Sequence, residues 1–399
     1  MQNILVPFDL FQTCDRLFAS AWDPTIRGFG LVSGPKIREN PFRSTERALD
    51  EGHKSSLGRE LRDACLAMKR VAILGAGGMG TALAMLFAKS ARSVQLWARD
   101  PGQACEIART RRNLRHLPDA TLPENVVVTP NACDATGGAD LIVVAIPSAY
   151  VRATLTEQSE RIPQGIPVLS VVKGIENDTF ARPSQIIEAA LGPRPVAILS
   201  GPSHAEEIAR GLPASVVVAG LDADLCVRIR DTLNHEMFRV YSNDDAVGVE
   251  LAGALKNILG IAAGICDGLG FGDNAKAALL TRGLVEISRF GIAHGARLST
   301  FYGLAGIGDM VTTCYSPFGR NRAVGERIGR GQTLDAVLAE MVNVAEGIPT
   351  TRSVHDEALR LEIEMPITDE LHKILFEQKP PLAAVTDLMV RHPKDEWNP

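Results

Sequence analysis

Short apolar runs and helix-like stretches alternate along the chain from Arg70 to about Asp245, and helical patterns alone follow. Seven of the apolar runs have the length and composition of buried strands. These predicted strands are residues 71–74, 94–97, 126–129, 141–145, 168–172, 196–199 and 215–219. Helical periodicity separates several of them, and this alternation predicts a parallel sheet whose faces are covered by helices.

The second half of the chain carries longer helical patterns and no predicted strand. The predicted helices are residues 245–267, 274–294, 321–330, 334–342 and 350–361. We therefore expect an α/β domain over residues 68–244 and a mostly α-helical domain over residues 245–399. Residues 1–67 show no sustained period. We expect them to be a weakly ordered N-terminal extension or a misassigned start, because Met68 stands directly before the first strand.

Composition and charge narrow the class of protein. A chain of 399 residues is long enough for two or three domains. The net charge of -5 gives no basic surface field, so nucleic acid is not an expected partner. The seven cysteines are scattered without a CxxC or Cys/His cluster, so we expect no metal site, no disulfide framework and a cytoplasmic location. No uninterrupted run of about 18 apolar residues occurs, and we expect no membrane span.

A glycine-rich loop follows the first predicted strand and opens a helix. Its sequence is Gly75-Ala76-Gly77-Gly78-Met79-Gly80. Gly75 permits a tight turn, Gly77 lets the backbone approach a pyrophosphate, and Gly80 lets the helix pack close to the strand. The helix N-terminus then offers free N–H groups to the phosphates. A strand before the loop and a helix after it supply the context that a dinucleotide site requires, so a Rossmann-type domain is predicted.

The end of the second strand bears on the choice of cofactor. Arg99 and Asp100 are adjacent there. An acid at this place binds the ribose hydroxyls of NAD, whereas an arginine pairs with the 2′-phosphate of NADP. Both residue types are present, so NAD and NADP both stay open, and we favour a protein that can use NADP.

Four later segments carry candidate chemistry. Lys173 and the loop from Gly201 to Ser203 follow predicted strands, where open α/β sheets bind ligands. Lys256 lies in a nearly uncharged helical stretch, and desolvation there lowers the pKa of a lysine toward the range of a general acid or base. The pair Arg320 and Asn321 offers a guanidinium and an amide that suit a phosphate group.

Together these segments resemble the bacterial-type NAD(P)-dependent glycerol-3-phosphate dehydrogenases from about Met68 to about Val390. The motifs that carry the resemblance are GAGGMGTALA, VVKGIE, LSGPSHAEEIA, ELAGALKNILGIAAGICDGLGFGDNAKAALLTRG, GLAGIGDMVTTC, GRNR and NVAEGIPT. The resemblance implies reversible reduction of dihydroxyacetone phosphate to sn-glycerol 3-phosphate, a reaction that supplies glycerophospholipid synthesis. A 3-hydroxyacid or 6-phosphogluconate type of dehydrogenase is the alternative. A homodimer is one candidate assembly, and the sequence leaves the oligomeric state open.

The resemblance also implies roles for individual residues. Lys256 is the expected proton donor or acceptor at the substrate's C2 oxygen, with Asp309 and Lys173 beside it. The expected substrate contacts are Lys173, Gly201, Ser203, Lys256, Asp309, Thr313, Gly319, Arg320 and Asn321. Besides Gly75, Gly77 and Gly80, the expected dinucleotide contacts are Gly78, Met79, Arg99, Lys173, Ala205, Arg320, Val344 and Glu346.

Four places depart from the usual family pattern. Gly78 and Met79 stand where a serine and an aromatic residue are usual, and Ala149 stands for a common histidine. His204 replaces a usual phenylalanine, and Gly319 replaces a usual serine. None of these changes removes a group that the proton transfer needs, but the last two alter the expected rim of the substrate site. No metal is expected in the reaction, because a lysine charge can serve the developing oxyanion.

Overall fold

The structure is a computed structural model that describes residues 68–341, 345–393 and 395–396. The predicted N-terminal extension, residues 1–67, and the predicted dinucleotide contact Val344 lie outside the described residues. Ten strands are present in the described part, eight of them in one sheet and two in a separate hairpin. In chain order they are β1 (Arg70–Leu74), β2 (Ser93–Trp97), β3 (Arg112–Asn113), β4 (Leu117–Thr121), β5 (Val126–Thr129), β6 (Leu141–Val144), β7 (Val168–Ser170), β8 (Val196–Ser200), β9 (Ala214–Gly220) and β10 (Phe238–Asn243).

Helices surround the sheet and make up the second half of the described chain. Those of the first half are α1 (Gly78–Phe87), α2 (Pro101–Thr110), α3 (Ala132–Thr136), α4 (Ser148–Gln158), α5 (Pro183–Leu191), α6 (Ala205–Ala209) and α7 (Ala223–Leu233). Those of the second half are α8 (Ala246–Gly268), α9 (Asp273–Ala293), α10 (Leu298–Phe301), α11 (Asp309–Tyr315), α12 (Arg320–Gly329), α13 (Leu334–Glu340), α14 (Gly347–Arg360), α15 (Pro366–Phe376) and α16 (Pro381–Met389). The predicted α/β fold with a Rossmann-type first half and a helical second half is confirmed.

The order of the strands places the ligand crevice. The large sheet runs β10-β9-β8-β7-β6-β1-β2-β5. Its last six strands, numbered as they occur in the chain, have the order 3-2-1-4-5-6 of a dinucleotide-binding sheet. The direction of winding changes between β1 and β6, which pair in parallel from Val71 opposite Leu141 to Leu74 opposite Val144. The carboxyl ends of these two strands therefore form the crevice where such sheets bind their ligands.

The predicted parallel sheet is confirmed except at one pair of strands. β9 pairs with β8 in antiparallel fashion, and β10 pairs with β9 in parallel. The connection from β8 to β9 contains only the five-residue α6, whereas a parallel crossover usually contains a helix long enough to run back along the sheet. β10 was not predicted, because it alternates buried Phe238 and Val240 with exposed Arg239 and Tyr241 and lies at the sheet edge.

The second half is organised around α8. This helix packs against α12 so closely that a Cβ on Gly264 would lie 2.0 Å from the carbonyl oxygen of Arg322. A Cβ on Gly325 would likewise lie 1.9 Å from the carbonyl oxygen of Ile261. In the described part, α8 is the one helix long and apolar enough to cross a membrane. Its apolar stretch is fully buried among the other elements, which is the setting of a core helix.

Candidate active site

The glycine loop adopts the geometry that its sequence predicts. Gly75 has a φ of 116°, and a Cβ there would lie 2.5 Å from the carbonyl oxygen of Ala145. A Cβ on Gly80 would lie 1.9 Å from the carbonyl oxygen of Gly75, so α1 can begin against the turn only with glycine at this place. Gly77 has no atom within 4 Å of its would-be Cβ and caps the start of α1, which leaves open space beside the helix N-terminus. An anionic pyrophosphate fits such a place.

The two remaining loop positions lie next to another predicted contact. Gly78 and Met79 are the first residues of α1 and are partly exposed. A Cβ on Gly78 would lie 3.5 Å from the Cβ of Ala205, which opens α6. Gly78 and Ala205 therefore lie next to each other, where α1 and α6 begin. Because 3.5 Å is an ordinary contact, a side chain at position 78 is sterically allowed.

An asparagine that the sequence analysis missed holds the loop in place. Asn113 lies in the small β3–β4 hairpin and is buried. Its Nδ2 donates to the carbonyl oxygen of Ala76 at 2.9 Å and to Oγ1 of Thr81 at 2.8 Å. The hairpin has no apolar run that would predict a strand, and only the tertiary fold brings it to the loop.

Arg99 and Asp100, which follow β2 and bear on cofactor choice, have different surroundings. Asp100 caps α2, since its Oδ1 accepts from the backbone N–H of Gln103 at 2.6 Å. Arg99 is exposed and lies 3.5 Å from the carboxylate of Glu157. The carboxylate is therefore engaged in a helix cap, while the guanidinium faces solvent and can meet a ligand.

Two lysines and an aspartate meet beyond the carboxyl end of β7. Nζ of Lys173, which follows β7, donates to Oδ2 of Asp309 at 2.7 Å. Nζ of Lys256, on α8, lies 3.2 Å from Oδ1 of the same carboxylate. Lys256 and Asp309 are 7% and 3% exposed. One carboxylate thus bridges two ammonium groups in a site almost closed to water.

Further contacts fix each lysine. Nζ of Lys256 donates to Oγ1 of Thr313 at 2.6 Å. Nζ of Lys173 donates to the carbonyl oxygen of Gly201 at 2.9 Å and to Oγ of Ser203 at 3.1 Å. These residues belong to separate sequence motifs, and the structure brings them into one cluster. Gly201 has a φ of 126° with Val216 packed against it, so glycine is required there.

A π-helical turn aims the aspartate into this cluster. Residues Leu304–Gly308 form this turn, and α11 begins at Asp309 directly after it. A Cβ on Gly306 would lie 2.0 Å from the carbonyl oxygen of Phe301, so the turn depends on glycine. Such turns are frequently found at functional sites.

Burial and charge set the protonation of the cluster. Burial lowers the pKa of Lys256, Asp309 raises it, Lys173 lowers it again, and the result is a pKa of about 8. Burial alone raises the pKa of Asp309, but the charges of Lys173 and Lys256 outweigh it and hold that pKa below its usual value. Near neutral pH, Lys256 is therefore an ammonium that gives up its proton far more readily than a lysine in water.

The start of α12 is connected to the cluster through amides. Nδ2 of Asn257 donates to the carbonyl oxygen of Lys173, and Nδ2 of Asn321 donates to Oδ1 of Asn257, both at 2.9 Å. Oδ1 of Asn321 accepts from the N–H of Gly347 at 2.9 Å. The Asn321 side chain therefore positions α12, whereas Arg320 is exposed at the helix start.

A glutamate from the second half reaches the sheet. Oε1 of Glu346 accepts from the N–H of Ser148 at 2.9 Å, and the Ser148 hydroxyl contacts Oε2. Ser148 opens α4, the helix that follows β6 in the chain. Burial raises the pKa of Glu346. The predicted dinucleotide contact thus lies at the crevice, and Ser148 is a partner that the sequence analysis missed.

One group of side chains in the described part has metal-ligand character. It consists of His355, Asp356 and His372, whose ligand atoms all lie within 4.8 Å of one another. The two imidazole rings stack at 3.8 Å with an interplanar angle of 9°. Parallel rings direct their nitrogen lone pairs along parallel planes, so this arrangement does not converge on one ion.

A doubly wound sheet with a glycine loop at its switch point, beside a buried lysine held by a carboxylate, defines the class of nicotinamide-dinucleotide oxidoreductases. Comparison with known proteins narrows the class. Residues 70–226 match the family described as NAD-dependent glycerol-3-phosphate dehydrogenase N-terminus, and residues 245–386 match its C-terminus. The chain belongs to the NAD(P)-dependent glycerol-3-phosphate dehydrogenase family.

Individual relatives agree with this assignment. A glycerol-3-phosphate dehydrogenase [NAD(P)+] from Prosthecochloris aestuarii is 47% identical over 329 residues, which are 82% of this chain and 99% of that protein. One from Salinibacter ruber is 46% identical over 333 residues, 82% of this chain and 97% of that protein. The crystal structure of a glycerol-3-phosphate dehydrogenase from Coxiella burnetii superposes with a TM-score of 0.78 at 36% identity, covering 82% of this chain and all of that one.

Proposed function

We propose that this protein is an NAD(P)-dependent sn-glycerol-3-phosphate dehydrogenase that reversibly reduces dihydroxyacetone phosphate and supplies glycerophospholipid synthesis. The observation that carries the proposal is the buried bridge of Lys173, Asp309 and Lys256 beside the dinucleotide crevice. The family assignment supports this substrate over the 3-hydroxyacid or 6-phosphogluconate alternative.

Lys256 is the proposed proton donor. Its ammonium, with a pKa of about 8, protonates the developing oxygen anion at C2 of the substrate during reduction and takes the proton back during oxidation. Asp309 holds the ammonium at 3.2 Å and Thr313 accepts from it, so the proton is aimed before substrate arrives. Lys173 adds a second positive charge on the other oxygen of the same carboxylate and electrostatically favours the anion.

The dinucleotide fits the glycine loop. Gly75, Gly77 and Gly80 form the turn and the open helix start, with Gly78, Met79 and Ala205 at the mouth of the crevice. A nicotinamide dinucleotide held there would supply or take up the hydride at C2 of the substrate. Glu346 and Arg320 are proposed to line the same space from the second half of the chain. We further propose that Arg99 favours NADP, since it is exposed while Asp100 is engaged in the α2 cap.

The substrate's phosphate is proposed to bind at the start of α12. Arg320 supplies the guanidinium, and the buried Asn321 holds the helix in register with the lysine cluster. Remote binding of the phosphate then fixes the reacting carbon beside Lys256. Arg320→Ala is expected to raise the KM for dihydroxyacetone phosphate about tenfold or more, the loss of a charge-assisted hydrogen bond. An unchanged KM in steady-state kinetics would remove the guanidinium from this role.

One assay tests the proposed function. The purified protein is given NADPH or NADH with dihydroxyacetone phosphate, with a 3-oxoacid of similar size, or with no acceptor, and loss of absorbance at the nicotinamide band is followed. Oxidation of the dinucleotide with dihydroxyacetone phosphate alone is expected. Oxidation with the 3-oxoacid instead would overturn the proposal in favour of the alternative.

Three further properties are proposed. The boundary between a dinucleotide-binding domain and a catalytic domain is placed at residues 244 and 245, where the last strand of the sheet gives way to α8. A cytoplasmic location accords with the five described cysteines, which are all free thiols. A homodimer is proposed as the assembly, and sedimentation of the full chain tests it.

A further inference from the structure

A buried imidazole nitrogen near the lysine cluster has no hydrogen-bond partner among the described residues. It is Nε2 of His204, the residue that follows Ser203 and precedes α6. An unpaired buried polar atom is costly, and native structures rarely keep one without a use. A ligand that supplies the missing partner would account for this nitrogen.

The ring lies in the same electrostatic environment as the catalytic cluster. Burial lowers the pKa of His204 and so does Lys256, while Glu206, Asp309 and Glu207 act in the opposite direction. The net effect is a pKa below the usual value, so the imidazole is neutral near neutral pH. A neutral ring carries one N–H, which Nε2 can offer to an acceptor. Ser203, directly before it, accepts from Nζ of Lys173 at 3.1 Å.

The His204 ring also lies near the start of α12. The His204 ring packs against the ring of Phe318 with centroids 6.0 Å apart, and Phe318 stands directly before Gly319 and Arg320. The guanidinium of Arg210 lies 5.3 Å from the centre of the same phenyl ring. His204 thus lies between the proposed proton donor and the proposed phosphate end of the substrate.

Gly319 provides no side-chain hydrogen-bond donor at the proposed phosphate end of the site. It has no side chain, and a Cβ would lie 2.8 Å from the carbonyl oxygen of Thr313. Its own N–H already donates to the carbonyl oxygen of Ser316 at 3.1 Å. The amide of the neighbouring Asn321 is bonded to Asn257 and Gly347. Besides the guanidinium of Arg320, a further side-chain donor to a phosphate at the start of α12 would therefore come from another element.

We propose that His204 is a substrate-binding residue whose Nε2–H donates a hydrogen bond to a phosphate oxygen of the three-carbon substrate. The inference rests on the proposed function for the identity of that substrate. In this chain the phosphate would therefore be contacted by a side chain from the β8–α6 loop, and not by a side chain at position 319. It also makes the site prefer a phosphorylated substrate over its unphosphorylated counterpart.

Two matched variants separate binding from packing. His204→Phe keeps an aromatic ring against Phe318 and removes both ring nitrogens, whereas His204→Gln keeps an amide N–H near the position of Nε2. In His204→Phe the KM for dihydroxyacetone phosphate is expected to rise about tenfold or more, with a smaller effect on kcat and none on the KM for NADPH. In His204→Gln the KM is expected to stay within about threefold of wild type. An unchanged KM in His204→Phe would overturn the inference.

A binding measurement keeps the inference distinct from the proposed function and from folding defects. Inorganic phosphate is titrated into the wild-type protein while the imidazole resonance of His204, assigned by its loss in His204→Gln, is followed by NMR over a range of pH. Bound phosphate dianion is expected to raise the pKa of His204, because it favours the imidazolium. A pKa that phosphate leaves unchanged would overturn the inference, even if the protein reduces dihydroxyacetone phosphate. A raised pKa without that activity would fault the proposed function instead.

Discussion

The glycine loop and the lysine cluster are built in opposite ways. The loop is six consecutive residues whose function lies in backbone shape, since Gly75 and Gly80 are required by contacts with main-chain atoms. The cluster joins Lys173, Lys256 and Asp309 from three distant segments, and its function lies in charge and burial. A change in the loop should therefore act on dinucleotide binding, and a change in the cluster should act on turnover.

The largest effect is expected from the cluster. Lys256→Ala removes the proposed general acid, a contribution of about 10²–10⁴ in rate, so kcat for reduction should fall by that factor. The dissociation constant for NADPH, measured by fluorescence titration, should stay within about twofold, because Lys256 does not shape the loop. Near-normal turnover in this variant would take the proton transfer away from Lys256.

The loop offers a matched pair of glycines. Gly80→Ala places a Cβ 1.9 Å from the carbonyl oxygen of Gly75, whereas Gly78→Ala places one at an ordinary 3.5 Å from Ala205. Overpacking of about 1–3 kcal/mol in the first variant should raise the dissociation constant for NADPH about ten- to a hundredfold. The second variant should bind nearly as wild type does. Equal effects of the two changes in the same titration would contradict the steric account of the loop.

The smallest effect is expected at the edge of the dinucleotide site. Arg99 is exposed, so its contribution to binding a 2′-phosphate is limited by solvent. Arg99→Ala should raise the KM for NADPH about tenfold and leave the KM for NADH nearly unchanged. A parallel rise in both KM values would mean that Arg99 does not select between the two cofactors.

The same contrast explains what the sequence could predict. The loop, its strand and its helix were predicted from adjacent residues, and so were seven strands of the large sheet to within a few positions. The members of the lysine cluster were also predicted, each from its own motif. That Asp309 bridges the two lysines was not predicted, because its position depends on the π-helical turn before it. Asn113 holds Ala76 and Glu346 holds Ser148 through a few hydrogen bonds between distant segments, which no periodicity in the sequence records.

The pH dependence of the two reaction directions tests the central claim, that Lys256 exchanges the proton at C2. Reduction needs the ammonium, so kcat/KM for dihydroxyacetone phosphate should fall as the pH rises through about 8. Oxidation needs the neutral amine, so kcat/KM for sn-glycerol 3-phosphate should rise through the same value. Mirror-image profiles that cross near this pH are the predicted result. Profiles that run parallel in the two directions, or that are flat between pH 7 and 9, would contradict the account.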